Sequence, residues 1–83
     1  MPTLDTLIPG QRGIIESIDG NDVLVQRIWE MGVTEGEPVE VVALAPLGDP
    51  MEIQIRSYNL SLRKSEAGRI HVALETNEKS NPG

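Results

Sequence analysis

Short segments in which apolar and polar residues alternate recur along the chain and predict β-strands. The clearest lies at 51–57, where one face is apolar and the other is polar. The two faces of 11–18 are imperfectly separated around Ile14 and Ile15, which predicts a β-bulge. Comparable apolar, β-branched or alternating segments predict further strands at 39–45, 60–62 and 70–74.

One segment, 23–31, follows the helical period instead. At about 100° per residue, three of its apolar residues fall in one stripe and form the predicted core contact: Leu24, Ile28 and Met31. Asn21 or Asp22 supplies the short polar side chain of an N-cap. Gly32 can adopt the left-handed conformation that ends a helix.

The order of these elements predicts the fold class. A strand, a helix and four short strands joined by tight turns suit a small antiparallel barrel better than βαβ units. We therefore predict a mainly β domain over 1–75, a barrel of about five strands with one short α-helix between the first and second strands. Residues 65–68 predict a single capped turn, and 76–83 predict a disordered polar tail.

The composition narrows the functional classes. Thirteen acidic and seven basic residues give a formal net charge of −6, which disfavours binding to nucleic acid or anionic lipid. The absence of cysteine excludes disulfides and thiolate ligands and fits a cytosolic protein. One Trp, one Tyr and no Phe are too few rings for a base-stacking platform or a proline-peptide groove. No apolar segment is long enough to predict a membrane-spanning helix.

Residues with catalytic or metal-binding chemistry are scarce. His71, the one histidine, is expected on the solvent face of the last strand. The carboxylates lack the spacing of a calcium loop, although Asp49 and Glu52 could weakly bind a hard cation. The glycines form no phosphate-binding motif. We therefore predict no enzyme activity, no cofactor and no metal site.

The segment APLGDP at 45–50 predicts a stiff turn between two strands. Pro46 presets φ for the turn, and Gly48 can take positive φ. Asp49 can accept hydrogen bonds from nearby N–H groups, and Pro50 begins the next strand. Leu47 alone has no such role, so its side chain either packs over the barrel or contacts a partner.

The predicted helix is apolar over a wider arc than one core contact needs. Val25 and Trp29 lie roughly 100° around from the stripe. Trp is enriched at binding hot spots but also packs often on its own domain, so both interpretations stay open. Arg56, Arg63 and Lys64 form a small basic feature that is either solvated or docks on an acidic surface.

Several motifs resemble those of the FeoA family of bacterial ferrous iron transport. They are the helix end EMG at 30–32, the turn residue Gly36, APLGDP at 45–50, LSLR at 60–63 and SEAGRI at 65–70. The resemblance extends over nearly the whole chain up to Glu75 and implies an SH3-like β-barrel. The family commonly has a glycine before L-x-L-R, where this chain has Ser57 and Tyr58.

The resemblance also implies a function. It implies an accessory protein of FeoB, the membrane Fe(II) transporter with a cytoplasmic GTPase domain, docked on the cytosolic side without insertion into the membrane; weak self-association stays open. The residues predicted to contact this partner are Val25, Ile28, Trp29 and Leu47. Arg27 and Arg63 are added as arginines that could stabilise charge during GTP hydrolysis.

Two alternatives stay open at this point. Similar domains form the C-terminal regulatory part of iron-dependent repressors, where they respond to metal or bind an internal peptide, but no DNA-binding helix-turn-helix precedes the domain here. A module that binds proline-rich peptides conflicts with the low aromatic content.

Overall fold

Five antiparallel strands form one continuous sheet in the computed structural model, which describes residues 2–75. The strands are β1 (Arg12–Ile18), β2 (Pro38–Leu44), β3 (Met51–Ile55), β4 (Tyr58–Leu62) and β5 (Ile70–Leu74); the helices are a 3-10 turn (Leu4–Thr6), α1 (Val23–Glu30) and α2 (Lys64–Ala67). The order across the sheet is β4-β3-β2-β1-β5. The predicted mainly β class, with a helix between the first and second strands, is confirmed. The predicted tail at 76–83 lies outside the described residues.

The strand residues that face inward form a single apolar core. In β3 the alternation is regular, and Met51, Ile53 and Ile55 are all fully buried. Burial of a side chain of this size stabilises the fold by about 1.5–3 kcal/mol. The predicted bulge in β1 is present, because the register with β5 shifts just after Ile15, and a second shift follows Val41 in β2.

The N-terminal segment completes the core, a contribution that the periodicity of the sequence did not predict. Leu4 and Leu7, which lie in and just after the 3-10 turn, are both buried. Thr3 forms a bridge to His71 in β5, and the Val72 N–H donates to the Pro2 carbonyl at 3.0 Å. This segment therefore covers part of the β5 edge of the sheet.

Helix α1 faces the core differently from the prediction. Its fully buried residues are Val25 and Ile28, whereas Leu24 and Met31 are half-buried. The predicted stripe is confirmed for Ile28, which belongs to the core cluster, and for Met31, which packs against that cluster. It is wrong for Leu24, because the helix is turned so that Val25 is fully buried and Leu24 only half-buried.

The end of α1 is closed by a contact with β4. Gly32 has a φ of 91°, which turns the chain out of the helix. The Tyr58 hydroxyl donates to the Met31 carbonyl at 3.0 Å and lies directly beside Gly32. Tyr58, at the position where the chain departs from the family motif, thus satisfies a carbonyl that the helix leaves unpaired.

We expect Gly32→Ala to lower the free energy of unfolding more than Gly36→Ala. Both glycines have positive φ, 91° and 89°, so both substitutions incur about 1–2 kcal/mol of left-handed backbone strain. A methyl group at Gly32 would also overlap the Tyr58 hydroxyl, whereas nothing lies within 4 Å of the same position at Gly36. Urea unfolding of both variants measures the difference.

The same pair of substitutions in a Tyr58→Phe background tests the cause. Removal of the hydroxyl should abolish the excess destabilisation at Gly32. An excess that survives in this background would contradict the assigned contact.

Candidate docking surface

An ion pair attaches the start of helix α1 to the residue before β5. Arg69 Nη1 and Nη2 donate to Asp22 Oδ1 and Oδ2, each at 3.1 Å, and Nη1 also donates to the Asp19 carbonyl at 3.2 Å. Asp22 is the N-cap residue of α1, so the bidentate pair fixes this end of the helix. The hydrogen bond from Arg69 lowers the pKa of Asp22, and the same bond raises the pKa of Arg69.

A groove lies between helix α1, the end of strand β4 and helix α2. Its lining residues are Arg27, Met31, Asp49, Pro50, Ser61, Arg63 and Glu66. The fold thus brings together Arg27, Asp49 and Arg63, which are far apart along the chain. No local pattern in the sequence indicates this convergence.

Glu66 is the buried member of the groove, with only 4% of its surface exposed. Its Oε1 accepts a hydrogen bond from the Arg63 backbone N–H at 2.9 Å, and its Oε2 lies 4.0 Å from Arg27 Nη2. A buried carboxylate needs such partners because its removal from water is costly. Glu66 therefore fixes the start of α2 and orients Arg27 across the groove.

The loop between β2 and β3 carries Leu47 next to the residues that line the groove. The Gly48 N–H donates to the Ala45 carbonyl at 2.7 Å, which closes the turn around Leu47. Asp49 Oδ1 accepts from the Lys64 N–H at 3.0 Å and joins the loop to α2. Leu47 itself is 94% exposed, the largest value among the exposed apolar side chains of residues 2–75.

Of the residues predicted to contact a partner, three share one side of the domain. Arg27 and Arg63 line the groove, and Leu47 extends from the adjoining loop. Trp29 is half exposed but does not line the groove. It lies about 200° around the helix from Arg27, on the opposite flank of α1.

The prediction that Val25 and Ile28 contact a partner is wrong. Neither side chain has any exposed surface, because both belong to the face of α1 that packs on the barrel. Their role is to hold the helix in place.

The predicted turn and cap residues lie in turns of the structure. Gly32, Gly36 and Gly48 all have positive φ. Pro46 precedes Leu47 within the closed turn, and a cis peptide bond joins Asp49 to Pro50.

The histidine and the two carboxylates considered as catalytic or metal-binding residues each have a hydrogen-bond partner within the domain. His71 is half-buried and its Nε2 lies 2.7 Å from Asp19 Oδ2. Asp49 is bonded to the Lys64 N–H, and Glu52 Oε2 accepts from Asn59 Nδ2 at 2.9 Å, so the two carboxylates do not converge on one site. Within residues 2–75, no three His, Asp or Glu side chains are grouped as metal ligands.

In the same part of the chain no helix is long and apolar enough to cross a bilayer.

The family model for the FeoA domain matches residues 3–74, which include every strand of the sheet. The chain belongs to the FeoA family. Both α1 and the groove therefore lie within the FeoA domain.

A relative carries a similar domain as part of a longer protein. The Fe(2+) transport protein A/Fe(2+) transporter FeoB fusion protein of Porphyromonas gingivalis is 40% identical over 80 residues, which are 95% of this chain and 10% of that protein. The chain therefore spans a small part of the curated relative that it matches. The FeoA family is thus associated with FeoB ferrous iron transport.

Solved structures confirm the SH3-like architecture. The FeoA-like protein of Clostridium acetobutylicum has a TM-score of 0.85 at 31% identity, over 90% of this chain and 87% of that chain. FeoA of Stenotrophomonas maltophilia, solved with zinc and described as an SH3 domain protein, has a TM-score of 0.76 at 34% identity. The match covers 88% of this chain and 91% of that chain. A manganese-dependent transcriptional repressor, with a TM-score of 0.81 at 19% identity over 89% of this chain and 41% of that chain, shares the fold alone.

The stabilisation from the Asp22–Arg69 pair should be lost in acid. Because the pKa of Asp22 in the folded protein lies below its ordinary value of 3.8, the contribution is fully present above that value and disappears as the pH falls through the lower, folded value. Near neutral pH, the free energy of unfolding of the parent chain should therefore exceed that of Asp22→Asn. This difference between the two proteins should shrink in strong acid. Urea unfolding across the acid range measures it.

Glu35→Gln is the matched control for this titration, since Glu35 is exposed and forms no ion pair within residues 2–75. A difference between Asp22→Asn and the parent chain that stays constant through the acid range would contradict the assignment.

Glu66→Leu should lower the free energy of unfolding by about 1–3 kcal/mol, because the Arg63 N–H at the start of α2 loses its acceptor. Glu66→Gln keeps an acceptor oxygen at the same position and should cost less. Urea unfolding of the two variants provides the comparison. Equal losses would show that the backbone hydrogen bond is not what makes Glu66 stabilising.

Proposed function

We propose that this FeoA domain is an accessory of ferrous iron uptake that binds the cytoplasmic part of a FeoB-type transporter by protein–protein contact. The observation that supports this most directly is the Porphyromonas gingivalis relative, in which transport protein A and the transporter FeoB share one polypeptide. A shared polypeptide raises the local concentration of one part around the other, so weak contacts suffice between them. The proposal extends this pairing to the present chain, at the inner face of the membrane.

The proposed contact surface consists of Leu47, Arg27 and Arg63. Leu47 is an exposed apolar anchor on a turn whose backbone is already closed, so its binding orders little additional chain. Arg63 forms no ion pair within residues 2–75 and can meet a carboxylate or phosphate of the partner. Arginine is among the residues enriched at binding hot spots, and Arg63 lines the groove that the Leu47 loop adjoins.

Arg63 is better placed than Arg27 to stabilise charge on a bound GTPase. Arg27 lies 4.0 Å from the buried Glu66, and its removal from the groove would leave that carboxylate without a cationic neighbour. Reorientation of the Arg63 side chain carries no such cost, because Arg63 is bonded to Glu66 through its backbone N–H and carbonyl and not through its guanidinium. Its guanidinium could therefore approach the phosphoryl group that develops charge during GTP hydrolysis.

Leu47→Asp should weaken binding to the cytoplasmic part of a FeoB-type transporter by about tenfold or more, because loss of a central apolar anchor typically costs this much affinity. A quantitative pull-down with purified partner measures the change. Ile8→Asp is the matched control, since Ile8 is a 59% exposed apolar residue of the N-terminal segment. Circular dichroism should confirm that both variants remain folded.

Trp29→Asp in the same assay reports on the opposite flank of α1. Weaker binding by Trp29→Asp together with unchanged binding by Leu47→Asp would contradict the proposed surface.

GTP turnover by the partner, measured with the parent chain and with Arg63→Lys, tests the role of the arginine. Failure of the parent chain to bind at all would reject the proposed function.

A further inference from the structure

Strand β4 has an unpaired edge that faces away from β3. The turn between β3 and β4 has two residues, Arg56 and Ser57, and the register pairs Ile55 with Tyr58. The closing pair of such a hairpin exchanges both backbone hydrogen bonds, and hydrogen-bonded and non-hydrogen-bonded pairs then alternate. The N–H and C=O groups of Asn59 and Ser61 therefore point outward.

These four outward groups have no bonding partner among residues 2–75. Neither Asn59 nor Ser61 makes a backbone hydrogen bond outside the strand ladder, and no side chain bonds to their backbone groups. The opposite edge of the sheet differs, because β5 is partly covered by the N-terminal segment through Thr3 and the Val72 N–H. The sheet thus has one partly covered edge and one edge whose outward backbone groups are unpaired within residues 2–75.

Strand β4 also lacks the features that normally protect an edge. Its five residues include no charged residue and no proline, and its register with β3 continues without a bulge. Asn59 and Ser61 are exposed and small enough to leave the backbone accessible. An edge of this kind is a template for pairing with another strand.

Two basic residues without an ion-pair partner in residues 2–75 lie at one end of this edge. Four of the six basic residues in 2–75 form ion pairs: Arg12 with Glu40, Arg27 with Glu66, Arg56 with Glu37 and Arg69 with Asp22. The other two are Arg63 and Lys64. Arg63 and Lys64 directly follow β4 and form no ion pair within residues 2–75, and Arg27 and Arg63 line the groove together with Ser61.

We propose that β4 binds an extended, acidic segment of the partner protein by strand addition. The segment pairs with the outward backbone groups of Asn59 and Ser61, and an acidic side chain of the segment meets Arg63 at the end of the strand. Main-chain hydrogen bonds supply affinity for any extended chain, and the cationic end of the edge selects an acidic one. This inference rests on the proposed function for the existence of the partner and specifies how the partner is bound.

Amide hydrogen exchange resolved by NMR tests the mode of binding, with the cytoplasmic part of a FeoB-type transporter as the probe. The Asn59 and Ser61 amides should exchange about tenfold more slowly in the complex, because each gains a main-chain hydrogen bond. The Leu60 amide, which already bonds to β3, is the internal control and should change less.

Two substitutions at Ser61 provide an independent test. Ser61→Pro removes the outward N–H at a position where an edge strand tolerates proline, and it should weaken binding by about fivefold to tenfold. Ser61→Ala removes the side chain and keeps the N–H, so it should weaken binding less than Ser61→Pro; an equal loss for the two variants would contradict a role for the backbone N–H. If circular dichroism shows that Ser61→Pro is unfolded, the exchange measurement decides.

The outcomes separate this inference from the proposed function. Binding that leaves the Asn59 and Ser61 amides unprotected overturns strand addition and leaves the proposed function standing. Absence of binding rejects the proposed function and the inference with it. Protection of both amides in the isolated protein that rises with its concentration means that a second copy of this chain occupies the edge, which also overturns the proposal.

Discussion

The position of helix α1 relative to strand β4 is the constraint on which this face of the domain depends, because the groove lies between them. The eight residues of α1 are too few for a helix that is stable alone, so packing on the barrel must hold it. Val25 and Ile28 supply about 1.5–3 kcal/mol each in buried area. Apolar packing alone leaves rotation of the helix weakly defined. The bond from Arg69 at one end and the bond from Tyr58 at the other fix it.

Glu66 shows that this face is organised by polar contacts as well as by apolar ones. An apolar side chain could occupy the same buried position without the cost of removing a carboxylate from water. It could not accept a hydrogen bond from the Arg63 N–H or orient Arg27 across the groove. The carboxylate therefore couples the start of α2 to α1, and the buried charge has a positional role that hydrophobic packing cannot supply.

Strands β3 and β5 could be predicted from the sequence because their alternation reflects one buried face directly. The side of α1 that packs on the barrel could not be predicted from the sequence. Apolar residues surround much of α1, and the helical period alone does not say which of Leu24, Val25 or Trp29 is nearest the barrel. The burial of Leu4 and Leu7 could not be predicted, because a single 3-10 turn of three residues is too short to show a repeating pattern. The convergence of the groove residues has no local signal in the sequence, since α1, the β2–β3 loop, β4 and α2 contribute to the groove from separate segments.

The net charge of −6 and the guanidinium of Arg63 in the groove act on a partner over different distances. Beyond about 8 Å at physiological salt, individual charges are screened, so a short acidic segment in contact with the groove meets Arg63 before it meets the net charge of −6. A nucleic acid duplex carries one negative charge for about every 1.7 Å of its axis. A duplex long enough to extend past the groove would also lie along the acidic surface of the domain. This distribution of charge therefore favours a single carboxylate at Arg63 over an extended polyanion. A protein with evenly mixed surface charges would have no such selectivity.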